Sequence, residues 1–575
     1  MTTPSLPLRA GVPTLSADTR TVGHTRARRR KNPVAWGVLV AVAGLVALPV
    51  ASLVAIALGG DTEVWPHLAA YVLPTAVRET ALLLAGIALL TGTIGVGTAW
   101  LVTGHDFPGR DTLLVLLPLP LAFPTYIVAY VYADTLDFLG PVQTGFRALT
   151  GFRSPADYWF PEVRSLGGAV VVMSLVLYPY VYLAVRAMLQ TQSAAVVEAA
   201  RLLGAGSVRL ACDVTLPLAR PALAAGLALV LMESLNDIGA TEYLGVRTLT
   251  LSIFTTWLNR GSLAGAAQIA CVLLIVVAGL IALERAGRRG RSFSSGDDLR
   301  HVSRVRLHGW RGLLAALLCA LPVLLGFVLP FAFLLHEVLS RGLLAGLDPA
   351  LVRAAATTVG LAAAATVATL ALGFGTVIAA RLIRRPGTAP LTAAAGLGYA
   401  VPGTVLALGL LSPLIAVDGV LDAASRALWG TGVGLLLAGS GAALVIAYTV
   451  RFMAIATGFS QAGLARVPTD LDDAARSLGA ATPAVIGTVH LPLLRPALAG
   501  AALLVFVDCL KELPATLLLR PLNVETLSTH LYQFASRGSF EEGALAALLI
   551  VAVGLLPVAR MVRLSDDLDR ARPLA

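Results

Sequence analysis

Charge is scarce in this 575-residue chain. Only 13% of residues are Asp, Glu, Lys or Arg, against about 25% in soluble domains. Lysine is nearly missing: of 43 basic Lys and Arg residues, only Lys31 and Lys511 are lysines. Lys31 precedes Asn32 and Lys511 precedes Glu512, so neither closes a Gly-x-x-x-x-Gly-Lys-Ser/Thr phosphate loop. Any work done with ATP falls to a partner. The four cysteines (Cys212, Cys271, Cys319, Cys509) lie far apart in or beside apolar runs, which excludes a disulfide framework or zinc ribbon. The histidines are scattered, and neither His-Glu-x-x-His nor Gly-x-Ser-x-Gly occurs. No metal site is assigned and no cofactor is expected on this chain.

What is abundant is apolar surface. Hydrophobic residues make up 57% and mean hydropathy is +0.81, so lipid must be part of the solvent. A spanning helix needs about 20 apolar residues, and twelve runs qualify. They begin near Val34, Ala76, Thr112, Leu166, Ala222 and Leu263, then near Gly312, Leu351, Pro390, Leu428, Ala497 and Glu541. The formal charge of +10 then marks a cytoplasmic face rather than nucleic-acid binding.

Residues 1–32 form a polar tail ending in Arg26, Arg28, Arg29, Arg30 and Lys31, too long for the charged start of a secretory signal. The segment from Glu284 to Arg311 carries eight arginines against three acids, whereas Ala133 to Ser165 carries three against four. The positive-inside rule puts the former inside and the latter outside, with both termini cytoplasmic. The expected organisation is a tail (1–32), a six-helix half (33–285), a basic linker (286–311), a second half (312–563) and a tail (564–575).

The halves repeat. Glu198-Ala-Ala-Arg-Leu-Leu-Gly204 answers Asp473-Ala-Ala-Arg-Ser-Leu-Gly479, and each precedes Val-x-Leu-Pro and Arg-Pro at an offset of 275. Pro124 answers Pro402 at an offset of 278. Six helices per half return the second half to the side where the first began, so the repeat is parallel. The segments 190–221 and 465–496 read as helix–turn–helix hairpins outside the lipid, turned at glycine and ended by Pro217 and Pro221 in the first copy.

These residues resemble the EAA loop of binding-protein-dependent ABC importer permeases. The resemblance covers nearly the whole chain and implies an all-α polytopic fold of the type I importer class, in a bacterial plasma (inner) membrane. It implies an ATPase-docking role for Glu198, Ala199, Ala200, Gly204, Leu216 and Pro217. The second copy would use Asp473, Ala474, Ala475, Gly479, Leu491 and Pro492. Asp473 stands where the family usually has Glu, so the two docking sites need not be equivalent. Implied partners are two copies of an ABC ATPase, which uses the ATP, an extracytoplasmic solute-binding protein and the bilayer; no nucleic acid is expected.

Ionisable residues inside a membrane face the bundle interior or an aqueous path. Glu233, Asn236 and Asp237 in the fifth helix and Asp508, Lys511 and Glu512 in the eleventh stand at matching offsets. Four-residue spacing puts Glu233 with Asp237, and Asp508 with Glu512, on one helix face each. They read either as a translocation path or as buried pairs holding helix ends, with Lys511 neutralising Asp508 or Glu512. Pro124 and Pro402 should kink their helices beside them. The stretches Glu233–Gly245 and Lys511–Pro521 resemble ferric-iron permeases, implying Fe(III) as substrate. Thiamine, polyamine and phosphonate permeases are relatives on the same reading. A twelve-helix secondary transporter would match the helix count alone.

Overall fold

The computed structural model describes residues 33–60, 64–190, 199–200, 202–204, 206–288, 304–344, 348–383 and 387–570. The tail 1–32, Glu198, most of the linker and residues 571–575 lie outside that set. Among the described residues, eleven helices are long and apolar enough to cross a membrane, or twelve if one bent pair is a single span. They are Pro33–Gly59, Val64–Gly104, Leu166–Gln190, Asp213–Asn236, Leu263–Gly287, Trp310–Ser340, Pro349–Ile383, Gly403–Trp429, Ala442–Leu464, Thr482–Leu510 and Phe540–Arg560. The bent pair, Arg110–Ala122 with Thr125–Thr135, turns through 93° and takes the third place. The count of six per half therefore holds when that pair is one span.

The duplication is visible in hydrogen bonds. Thr80 accepts from the Leu249 N–H at 2.9 Å, and Thr358 accepts from Leu527 at 2.8 Å, both residues shifted by 278. Gly95 lies against the backbone of the fourth span at Tyr182, and Gly373 against the tenth at Thr457; a Cβ at either would sit within about 3.2 Å of those atoms.

Each half lends its leading span to the other. Pro33–Gly59 packs on Gly403–Trp429, and the Trp310–Ser340 span packs on the third and fourth spans of the first half. Both contacts are backbone-close: a Cβ on Gly409 would lie 2.1 Å from the Pro49 carbonyl oxygen, and one on Gly326 would lie 2.4 Å from that of Leu175. Small residues at such crossings are how helices in lipid gain packing where no hydrophobic force drives them together.

Several boundaries differ from the sequence reading. The tenth span starts at Ala442, not near Leu428, because the ninth helix runs to Trp429 and a glycine-rich turn follows, with Gly430 and Gly434 at positive φ. The fifth and eleventh spans begin before Pro221 and Pro496, which sit inside helices. A π-turn precedes each helix, at Ala211–Thr215 and Ile486–His490. Its wider ring lets the chain enter Pro217 and Pro492 at the first turn, where a missing N–H costs nothing. The hairpins' second arms are thus continuous with the spans. The second span starts at Val64, twelve residues before Ala76, through a π-turn at Leu68–Val72. The last helix continues to Arg570, so 564–570 is helical rather than a tail; Leu564 and Leu568 keep its four-residue apolar spacing.

Pro124 and Pro402 break their helices instead of kinking them. Each is the extended residue just before a helix (φ −60°, ψ 140° and φ −55°, ψ 145°). Proline disfavours helical geometry in its predecessor, and Phe123 and Val401 are accordingly extended.

Gly204 and Gly479 adopt φ of 83° and 85° at the hairpin turns, and a Cβ there would meet nothing within 4 Å. The cost of a side chain is therefore backbone strain alone, roughly 1–2 kcal/mol. Gly204→Val and Gly479→Val should each insert normally in the membrane but lower substrate-stimulated ATP hydrolysis by the partner; hydrolysis at the wild-type level in both variants would contradict a role for these turns.

Candidate functional site: a charged cavity between the halves and two exposed hairpins

The fifth helix stops at Asn236 and the eleventh at Leu510. Asp237 and Lys511 are the flanking residues, and Glu512 lies beyond the helix. The pairs Glu233/Asp237 and Asp508/Glu512 therefore do not share one continuous helix face, as their spacing suggested. Each chain leaves its helix and turns into a short one, Gly239–Tyr243 or Pro514–Leu519. At that turn the two acids perform the same task. Asp237 accepts from the Ala240 N–H at 2.8 Å, and Glu512 accepts from the Ala515 N–H at 3.0 Å. In lipid an unmade backbone hydrogen bond costs several kcal/mol, so a capping carboxylate is the local reason for an acid at each position.

Beyond this shared role the halves diverge. Asp508 pairs with Lys511 at 2.8 Å, so part of the expected ion pairing is present. Glu512 pairs with Arg451 of the tenth span at 3.4 Å. Arg451 also donates to the Asn236 side-chain oxygen at 2.9 Å, which accepts from the Gly403 N–H at 2.6 Å as well. Tyr399 donates to Glu233 at 2.8 Å, and Thr125 donates to Asp237. Arg451, Tyr399 and Gly403 belong to the second half, so three hydrogen bonds here join the end of the fifth helix to the opposite half. A Cβ on Gly403 would lie 2.7 Å from Glu512 Oε1 and 2.8 Å from Arg451 Nη1, so a side chain there would displace the ends of this pair.

On the pseudo-symmetric side the positions of Arg451 and Tyr399 are held by Val176 and Leu121, which cannot donate hydrogen bonds. A cavity of about 70 Å³ opens there instead. It is lined by Pro124, Glu233, Asn236, Asp237, Asp508, Lys511 and Glu512, together with Arg451, Tyr180 and apolar residues of the third and fourth spans. Seven of the eight path candidates thus meet at one cavity. Pro402 lies in a small neighbouring cleft with Glu233, Tyr399 and Arg451. Among the described residues, no three His, Cys, Asp or Glu side chains are grouped so as to hold a metal ion.

The hairpins are the other candidate region. In the second, Thr469–Ser477 is a short helix with Asp473, Ala474 and Gly479 exposed and Ala475 half-buried. In the first, Ala199 and Gly204 are exposed and Ala200 half-buried. Leu216 and Leu491 are exposed, whereas Pro217 and Pro492 are half-buried. Sequence reasoning missed Leu203 and Leu478, which precede the turn glycines and are 89% exposed. The two leucines occupy the same turn of both copies. It also missed Arg451, whose signal was a lone arginine within an apolar 23-residue helix.

The chain matches the model of the binding-protein-dependent transport system inner membrane component twice, over residues 91–291 and 371–568. It is 23% identical over 487 residues to the Fe(3+)-transport system permease protein FbpB 2 of Haemophilus influenzae, covering 84% of this chain and 88% of that one. The molybdenum transport system permease protein ModB of Escherichia coli is 30% identical over 210 residues, 34% of this chain and 88% of its own. The sulfate transport system permease protein CysT of the same organism is 32% identical over 173 residues, 29% of this chain and 58% of its own.

Arg451 and Glu512 are each 5% exposed, whereas Lys511 and Asp508 are 25% and 19% exposed. Removing one member of a fully buried pair strands the other and costs about 3–5 kcal/mol. Arg451→Ala should therefore lower thermal stability in detergent much more than Lys511→Ala does. Equal melting temperatures for the two variants would rule out Arg451 as the keystone of this cluster. With two family domains in one polypeptide, an extended likeness to a fused relative and a charged cavity between two sets of helices, this chain belongs to the inner-membrane permease family of binding-protein-dependent ABC transport systems.

Proposed function

We propose that the chain is the complete membrane path of an ABC importer for Fe(III), which an extracytoplasmic solute-binding protein delivers and two copies of a separate ATPase drive inward. Both termini lie on the cytoplasmic side in this reading. The observation that carries the substrate is the central cavity, where four carboxylates face two cationic side chains, a formal excess of two negative charges. Within low-dielectric walls such an excess attracts a cation more strongly than in water. Likeness across both halves to a relative described as transporting Fe(3+) supports the same choice. Family membership also removes the secondary-transporter reading, because transport in this class depends on a binding protein.

A second substrate reading rests on Lys511 and Arg451. Both line the cavity, and the relatives named for molybdenum and sulfate have higher identity over 34% and 29% of this chain. An oxyanion would be drawn to those cations and repelled by the four acids. The acids outnumber the cations, which favours the metal cation.

For docking, the hairpins carrying Glu198, Ala199, Ala200 and Gly204, and Asp473, Ala474, Ala475 and Gly479, take one ATPase each, with the exposed Leu203 and Leu478 as apolar anchors. Leu216, Pro217, Leu491 and Pro492 set the second arms as they enter the spans.

Two measurements test these assignments. Native mass of the solubilised importer should give one copy of this chain with two ATPases; a transport-competent assembly with no ATPase would refute the coupling scheme. In reconstituted importer, Glu233→Gln with Asp508→Asn should slow Fe(III) uptake per folded molecule by roughly tenfold, equivalent to about 1.4 kcal/mol on a barrier, and molybdate should not compete. Unchanged uptake per folded molecule with lowered stability would leave these acids as helix-holding groups, and competition by molybdate or sulfate would favour the oxyanion.

A further inference from the structure

The second hairpin is fastened to the transmembrane bundle by a buried ionic cluster. Arg381 sits in the last turn of the eighth span, Pro349–Ile383. Its guanidinium grips Asp472 with both edges, Nε to Oδ2 at 2.7 Å and Nη2 to Oδ1 at 3.1 Å. The remaining donors go to carbonyls of Leu464 at 3.2 Å, Val467 at 3.0 Å and Pro468 at 3.1 Å. Leu464 ends the tenth span and Pro468 introduces the hairpin helix. One side chain thus satisfies carbonyls at the end of one span and the start of the next element while holding the hairpin's carboxylate. From the other arm, His490 Nε2 lies 2.7 Å from Asp472 Oδ1. Arg381 is 9% exposed, and Asp472 and His490 are 1% exposed.

Burial alone would raise the Asp472 carboxyl, but the bonds from Arg381 and His490 outweigh it and hold the group below its ordinary value. The carboxylate is therefore charged in the folded protein. The stability it contributes is complete above the ordinary carboxylate range and is lost as pH falls through the lowered folded value.

The first half does not repeat these three residues. The offset of 278 that aligns Gly95-x-Gly-Thr98 with Gly373-x-Gly-Thr376 puts Thr103 at the place of Arg381. The offset of 275 puts Val197 at Asp472 and Thr215 at His490. The Thr103 hydroxyl is buried without a hydrogen-bond partner. All three charged or ring-bearing groups are replaced together, so the asymmetry is that of a complete cluster.

We propose that Arg381, Asp472 and His490 are positioning residues for energy coupling, a clamp that makes the second hairpin move rigidly with the eighth and tenth spans. The clamp then passes the ATPase stroke from the second hairpin directly into those two spans. This rests on the docking role proposed above for the hairpins. A bidentate arginine on a buried carboxylate resists shear in a way that apolar packing does not, because its planar fork fixes direction as well as distance.

The test uses the importer reconstituted with its ATPase and binding protein. Arg381→Ala strands a buried carboxylate and is the variant most prone to misfold, so the decisive one is the double change Arg381→Met with Asp472→Leu. Replacing a buried pair by apolar residues of similar volume commonly preserves stability. The double variant should keep two ATPases by native mass and continue to hydrolyse ATP. It should import at least about fivefold less substrate per ATP, a loss of about 1 kcal/mol of coupling. His490→Gln, which keeps a hydrogen-bond donor, should retain most of the ratio. Thr103→Val in the first half should leave it unchanged. A wild-type ratio in the stable double variant, or an equal loss in Thr103→Val, would overturn the clamp. If both ATPases stay bound when Gly204→Arg and Gly479→Arg are combined, it is the docking role that fails, and the clamp's coupling role fails with it.

Discussion

A helix that ends within the bundle must find partners for its loose backbone groups without help from bulk water, and the centre of this protein is built around that requirement. The fifth and eleventh spans both stop there, and Asp237 and Glu512 receive the N–H groups that open the next short helix. Each cap brings a carboxylate into a place where charge is costly, so further groups gather to balance it. Thr125 serves Asp237, and Arg451 serves Glu512 while also reaching Asn236. Lys511 balances Asp508 one turn away. Much of what makes the cavity charged follows from two helix ends. A pathway for ions is a use to which such a necessary cluster lends itself.

The same cluster breaks the symmetry that the duplication created. Arg451, Tyr399 and Gly403 close one side with hydrogen bonds, whereas Val176, Leu121 and Thr125 occupy the matching positions on the other. A duplicated chain is free to drift in this way, since a substitution in one half has no obligatory copy in the other. A dimer of identical subunits would have to carry Arg451 twice. The Arg381–Asp472–His490 cluster is a second case of that freedom, at the end of the molecule where the hairpins lie.

Much of the architecture was legible because its signals are local or periodic. The apolar runs, the 275- and 278-residue offsets and the turn glycines with positive φ each need only a window of sequence. Lys511 beside Asp508 was legible for the same reason. Arg451 with Glu512 was not, because 61 positions and two helices separate them, and only the packing of the tenth span on the eleventh brings them together. Proline misled in two opposite ways. Pro217 and Pro221 looked like helix stops but lie in a helix entered through a π-turn, whereas Pro124 and Pro402 looked like kinks but separate two helices outright. In each case the residue type was informative, and its neighbours decided the geometry.

The exchange of leading spans has a consequence for how the chain is made. Pro49 rests on the backbone at Gly409, about 360 residues further along the chain. At a synthesis rate of about 5–20 residues per second, the first span waits in the bilayer for tens of seconds before its seat on the ninth span exists. It is suited to the wait: its apolar window has a mean hydropathy of 2.6, only 33% of that window is buried in the finished protein, and no charged residue lies within it. Lipid serves as its provisional partner. Neither half can finish its own packing during translation, so the two mature as one unit, and a nascent chain halted in the linker would hold six helices of which the first has the sixth beside it but not its seat on the ninth.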